Sequence, residues 1–190
     1  MTDLGLKNML GFVLRYKKLA GALLERFDAG EVERGIISIS QDIINRDLKM
    51  FIMEKFAENL NDYLILFDNS AIFIDLDLNI KQLGRIKAKY MLVIDEFLFH
   101  EQCHKIKFTY REDVKSEGNF VQNMAIKAAG LKGTYLQTAV DISNLDFIEA
   151  DKESFTIGID KIDVNKKIPP SLNLVYTSSE NEILKLHFNI

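Results

Sequence analysis

Apolar residues recur at two periods along this chain, and the change of period divides it. Between residues 4 and 27, Leu6, Met9, Leu10, Val13, Tyr16, Ala20, Leu23, Leu24 and Phe27 follow three-and-four spacing. That spacing predicts one face of an amphipathic N-terminal helix. Gly5, Gly11 and Gly21 weaken it as an unbroken rod. A break at Asp28-Ala29-Gly30 precedes a short strand-like run over residues 35–39. A second helix is predicted from about residue 40 to 61, with Ile44, Leu48, Ile52, Phe56 and Leu60 at every fourth position. Two starts fit it. Ser40 can cap the free amides, or Ser38 with Gln41 can form a capping box.

From Tyr63 the period falls to 2. Residues 63–67 form one strand, with Asp68-Asn69 as its turn. Ile72, Ile74, Leu76, Leu78 and Ile80 then alternate with Phe73, Asp75, Asp77 and Asn79, the clearest half-buried strand in the sequence. Ile86, Ala88, Tyr90, Leu92 and Ile94 alternate with Arg85, Lys87, Lys89, Met91 and Val93. Asp95-Glu96 shifts the phase as a bulge does, before Phe97 and Phe99. A strand of about 15 residues would reach about 50 Å. Ile106, Phe108 and Tyr110 mark its return. Residues 119–144 read as a helix broken near Gly130 and Gly133, and strands follow at 154–159, 172–177 and 183–190, the last two joined through residues 178–181. Helices, a meander, a helix and more strands give an α+β fold with a long curved antiparallel sheet packed against a long helix. No repeat or Pro/Gly-rich linker divides it, so one domain over 1–190 is expected, with 1–34 as the N-terminal helix and 35–190 as the α+β body.

Composition narrows the function classes. The chain is 47% hydrophobic and 27% charged with a net charge of −4, which argues against wholesale disorder and against nucleic acid as a partner. A single cysteine, Cys103, leaves no internal disulfide framework and points to a reducing compartment. Nothing in the first residues resembles a signal peptide, and no run approaches the length of a membrane-spanning helix. A cytoplasmic location, peripheral to membrane if the basic first helix lies on an anionic surface, is the expectation.

One motif looks catalytic. His100-Glu101-Gln102-Cys103-His104 matches the zinc-protease pattern H-E-x-x-H. That chemistry needs a helix, because only helical spacing sets both histidines on one face with the glutamate beside the metal-bound water. The flanking period of 2 predicts a strand–turn–strand instead, so no metal ligand, cofactor or catalytic residue is assigned. Asp75 and Asp77 share a strand face and read as a solvated surface. No glycine-rich phosphate loop and no G-x-S-x-G elbow occurs.

The stretch Ile37-Ser38-Ile39-Ser40-Gln41-Asp42-Ile43-Ile44-Asn45, a strand entering a capped helix, is followed by long alternating strands, a later helix and the final strand Glu182-Ile183-Leu184-Lys185-Leu186. Over residues 35–190 this order resembles the tubular lipid-binding (TULIP) superfamily, particularly its small single-unit bacterial members. The resemblance implies a curved sheet around a long helix and non-enzymatic binding of a lipid or other apolar ligand in the groove between them. Leu48, Phe51, Ile52 and Phe56 on the helix, with Leu76, Leu92, Ile94 and Phe108 on strands, would line that groove. A filled core uses the same residue types. An interaction domain with a packed core is therefore the competing expectation, and a zinc hydrolase through His100 and His104 stands third.

Overall fold

The computed structural model describes residues 28–80, 84–101, 103–118, 124, 133–143, 146–161 and 172–189. The N-terminal amphipathic stripe expected over residues 4–27 lies outside them. The described chain is a sheet-rich α+β arrangement built on one nine-stranded, open antiparallel sheet.

The chain enters through a short helix, α1 (Ala29–Glu33), whose first turn is capped by Asp28 accepting from the Glu31 amide at 2.8 Å. The sequence break at 28–30 is thus a helix start, with the aspartate as its cap. Gly35, at φ 72°, then turns the chain into β1 (Ile36–Ser40). A side chain there would strike the Phe188 carbonyl, 2.7 Å from where its Cβ would sit.

Ser40 is the residue that caps the next element, its Oγ accepting from the Ile43 amide at 3.4 Å. That element is shorter than the predicted helix. A π-helical turn (Ile43–Asp47) leads into α2 (Lys49–Lys55). Leu60, which continues the fourfold spacing, belongs to β2 (Leu60–Asp68) and pairs with Leu78. The long helix against the sheet is therefore corrected to a little over three turns. The Leu60–Leu78 pairing claims the last predicted turn.

β2 pairs with β3 (Ala71–Ile80), and β3 with β4 (Gly84–His100). The β2–β3 turn is Asn69-Ser70, at φ 50° and 60°, one residue later than the sequence suggests. β4 is 17 residues long and returns as β5 (Cys103–Ser116). The register slips between Ile94 and Glu96, the bulge expected at Asp95. β5 pairs with β7 (Ser154–Gly158), and β7 with β6 (Ile148–Ala150), a three-residue strand the sequence did not announce. α3 (Tyr135–Ser143) precedes β6, and a 3-10 turn (Ile159–Lys161) follows β7. β8 (Asn173–Glu180) and β9 (Ile183–Asn189) form the last hairpin, turned by Asn181-Glu182 in the same left-handed conformation as Asn69-Ser70.

β4 is the branch point of the sheet. One edge is shared between β3, along residues 84–92, and β8, which meets it at Phe99↔Leu174. From β8 the sheet runs on through β9 to β1. The tips of the β2–β3 and β8–β9 hairpins are stitched together by Ser70 N–H to the Ser179 carbonyl (3.0 Å) and Glu182 N–H to the Phe67 carbonyl (2.9 Å).

Residue parity separates the two faces. Tyr63, Ile72, Ile74, Leu76, Tyr90, Leu92, Phe108, Tyr110 and Phe155 fall on the inner face. Leu92, Phe108, Tyr110 and Phe155 form the buried cluster there, and the Phe108 and Phe155 rings stack at 4.8 Å. α3 is anchored to this face by a charged residue. Glu112, in the row Ile74–Tyr90–Glu112, accepts the Tyr135 amide at 2.6 Å and the Leu136 amide at 3.0 Å. A carboxylate in an apolar row is tolerated because it satisfies the free amides of a helix N-terminus.

Among the described residues β2 pairs only with β3, which leaves its other side as a sheet edge. Three side chains spaced by four, on the segment entering α2, cover it. Gln41 accepts from the Phe67 amide (3.4 Å), Asn45 bonds both backbone groups of Ile65, and Lys49 donates to the Tyr63 carbonyl (3.4 Å). Four helical residues rise about 6 Å and two strand residues about 6.6 Å, so the two periods keep step across the edge.

Candidate functional site

The eight residues expected to line a groove divide between three environments. Leu92 and Phe108 are buried in the core cluster, with Ile94 packed against it. Leu76 is half-buried on the inner face of β3. Leu48, Phe51 and Ile52 are half-buried on the helical segment, and Phe56, at the end of α2, is 56% exposed. The contacts of that segment run to β1 and the edge strand β2. The structure thus brings together Leu92, Ile94 and Phe108, and places the helical residues at the sheet's edge.

The outer face is mostly a ladder of ion pairs. Asp77 accepts from Arg85 Nε (3.0 Å) and Nη2 (2.6 Å) and from Asn61 (3.1 Å). The guanidinium, then the amide, holds the Asp77 carboxyl down to about 2. Lys89 meets Asp75 at 2.6 Å, Lys105 meets Glu96 at 2.9 Å and Lys115 meets Asp113 at 2.7 Å. Asp75 and Asp77 are therefore engaged by cations of β4, as a solvated sheet face requires.

Beside the Asp75–Lys89 pair runs a mostly apolar row. Register sets Leu66, Phe73, Met91 and Arg111 side by side across β2, β3, β4 and β5. Leu66 is 38% exposed, and Leu64, one row along, 42%. An open depression of ≈420 Å³ lies over Leu66, Phe73 and Met91 and reaches Arg111, with Asp75 and Lys89 on one flank. A second, of ≈370 Å³, continues from that ion pair past Leu64 toward Asp77 and Lys87.

The H-E-x-x-H residues form a hairpin. His100 pairs with Cys103 at the end of the β4–β5 ladder, Glu101 lies in the turn, and His104 pairs with Phe99. The histidines stand on opposite strands, not one helical turn apart. His104 is buried, with its ring edge-on to Phe99 at 4.5 Å. Its backbone amide donates to Asp160 Oδ2 (2.9 Å) and its Nδ1 lies 2.7 Å from Asp160 Oδ1. This double contact ties the 3-10 turn after β7 to the start of β5. Among the described residues, no group of three or more His, Cys, Asp or Glu is placed to hold a metal ion, and no helix is long and apolar enough to cross a membrane.

The chain matches no protein-family model, no curated protein and no solved structure. Sequence reasoning did not single out Leu66, Met91 or Arg111. Each occupies an ordinary outward position in its own strand, and only the register across four strands makes them neighbours.

Proposed function

We propose that this chain is a non-enzymatic binding domain whose outer sheet face docks a protein partner. The observation that carries the reading is the row Leu66–Phe73–Met91 beside the ion pairs of the outer face, with Leu66 exposed and Phe73 and Met91 half-buried. Small-molecule sites bury most of the ligand's surface. An open sheet face leaves the far side of a small ligand in water, whereas a protein covers it with its own surface. Apolar centres rimmed by charged residues are the usual anatomy of such contacts.

The test compares proteins captured by the wild type and by a Leu66→Glu/Met91→Glu variant of unchanged circular dichroism. A partner held by the wild type and lost from the variant supports the reading. Identical sets from both sink it.

A second reading is the tubular lipid-binding one, with an apolar ligand on the inner face. Its support is that Ile72, Ile74, Leu76 and Leu78 are only half-buried there. A membrane-surface contact through residues 4–27, whose apolar stripe stands beside the basic Lys7, Arg15, Lys17, Lys18 and Arg26, belongs with it. Native mass spectrometry of protein purified without detergent tests it. Adducts of several hundred daltons that vanish on denaturation support it, and bare chain alone opposes it.

A further inference from the structure

Among the described residues the sheet has three edge strands, β2, β6 and β1. Two of them carry a device against pairing with another chain. β2 is covered by Gln41, Asn45 and Lys49. β6 is three residues long, with Glu149 at its centre. β1 has neither protection. Its residues, Ile36-Ile37-Ser38-Ile39-Ser40, include no charge, proline or glycine, and they run in unbroken register with β9.

The direction of its free groups follows from its bonds. The Phe188 amide donates to the Gly35 carbonyl (2.7 Å) and the Gln41 amide to the Glu182 carbonyl (2.9 Å), both in the β1–β9 register. Bonding alternates along an antiparallel pair, so odd-numbered residues face β9 and even-numbered ones turn their backbone groups away. The amides and carbonyls of Ile36 and Ser38, with the Ser40 amide, therefore line the open edge, and none bonds a described residue. Ser38 adds a further unmet group, because its Oγ is buried and has no hydrogen-bond partner.

Independently of the outer-face reading, we propose that β1 pairs antiparallel with β1 of a second copy of this chain, across a two-fold axis at Ser38. A row of free amides and carbonyls takes an extended strand, and this strand fits itself. The axis sets Ser38 opposite the second copy's Ser38 and Ile36 opposite its Ser40. Only even-numbered residues then meet, so the two Ser38 residues exchange a pair of bonds and each Ser40 amide reaches an Ile36 carbonyl. A slip of one residue would set free groups against odd-numbered residues already bonded to β9. Directly opposed side chains stand about 4.5–5.5 Å apart at Cβ on one side of the sheet, which brings the two Ser38 hydroxyls within reach of each other and supplies the missing partner. No charge lies on the strand to repel its copy. Such a contact is isologous and closes at two chains.

The test is sedimentation velocity on the full chain. A strand-to-strand contact is small for a dimer interface, so the chain should be monomeric when dilute and dimeric toward about 0.5 mM. Ser38→Pro removes the outward amide and the hydroxyl and leaves every β1–β9 bond, a change that edge strands accept. It should weaken the dimer at least about tenfold with the circular dichroism unchanged. Ser38→Cys in a Cys103→Ser background should cross-link to its copy under mild oxidation, and this readout does not depend on the proline variant folding. A chain that is monomeric throughout the range, or a dimer that Ser38→Pro leaves intact, overturns the proposal. A dimer that Ser38→Cys fails to cross-link overturns the two-fold register. A monomer whose Ser38 amide resists hydrogen exchange gives the edge to a segment of its own chain, and a monomer that captures a protein lost from Ser38→Pro gives it to a foreign strand; both overturn the self-pairing.

Discussion

Asn45 and Ile65 close a two-bond ring: the Asn45 side-chain amide donates to the Ile65 carbonyl at 2.6 Å, and its oxygen accepts the Ile65 amide at 2.8 Å. The side chain does for β2 what a neighbouring strand's backbone would do. An uncovered edge is a template for pairing with other chains, and proteins cover such edges by several devices. Asn45→Ala should lower the unfolding free energy by about 1–3 kcal/mol, as expected for half-buried backbone groups losing their partners. Urea denaturation measures this. Light scattering on warming should show earlier association than in the wild type.

Glu112→Ala should loosen α3 before it loosens the sheet. It removes the acceptor of two helix amides, a loss of about 0.5–2 kcal/mol at an N-terminus. Hydrogen exchange at Tyr135 and Leu136 should accelerate while that at Leu92 and Phe108 keeps pace with the wild type. Equal acceleration at all four would show that the helix and the core open together.

The outer ladder makes a prediction about acid. Because Arg85 and Asn61 hold the Asp77 carboxyl down to about 2, its ion pair contributes fully above the ordinary carboxylate value. That contribution fades as pH falls from there through about 2. The Asp77 carboxyl resonance should titrate near that lower value. In Arg85→Ala the midpoint should move up toward the ordinary value of 3.8. Failure to move would show that the guanidinium is not the cause.

His104 is predicted to be structural. His104→Phe keeps a ring against Phe99 and leaves Asp160 its bond to the backbone amide, so stability should change by less than about 1.5 kcal/mol. His104→Ala leaves a void and should cost about 2 kcal/mol or more. Zinc content of protein purified without added metal should be the same in wild type, His100→Ala and His104→Phe. Loss of one zinc per chain in either variant would return the H-E-x-x-H reading.

Much of the sheet was legible in the sequence because strand alternation is local. Ile72 to Ile80 keeps one parity against charged neighbours, and the phase slip at Asp95 survives as a bulge. The H-E-x-x-H residues were readable as a hairpin for the same reason. Helix length was less legible. Ile52, Phe56 and Leu60 continue one spacing, and only the long-range pairing of Leu60 with Leu78 shows where the helix must stop. β6 was missed because three residues are too few to display a period. Least visible was the outer row. Phe73 and Met91 stand at the ends of runs of charged outward residues in their own strands, and nothing local records that they share a line with Leu66 and Arg111.

The pairing of β1 with β9 has a consequence in time. β1 is among the first described residues to leave the ribosome, and its partner is among the last. The β2–β5 meander can assemble from neighbouring segments while synthesis continues, but β1 must wait for its pairing with β9 until about 145 residues more have emerged. Closing so long a loop is the slow, non-local kind of step that sets folding rates. Removing β9 should therefore strand β1 as well, and a nascent chain held before β9 is when this protein most needs shielding from its neighbours.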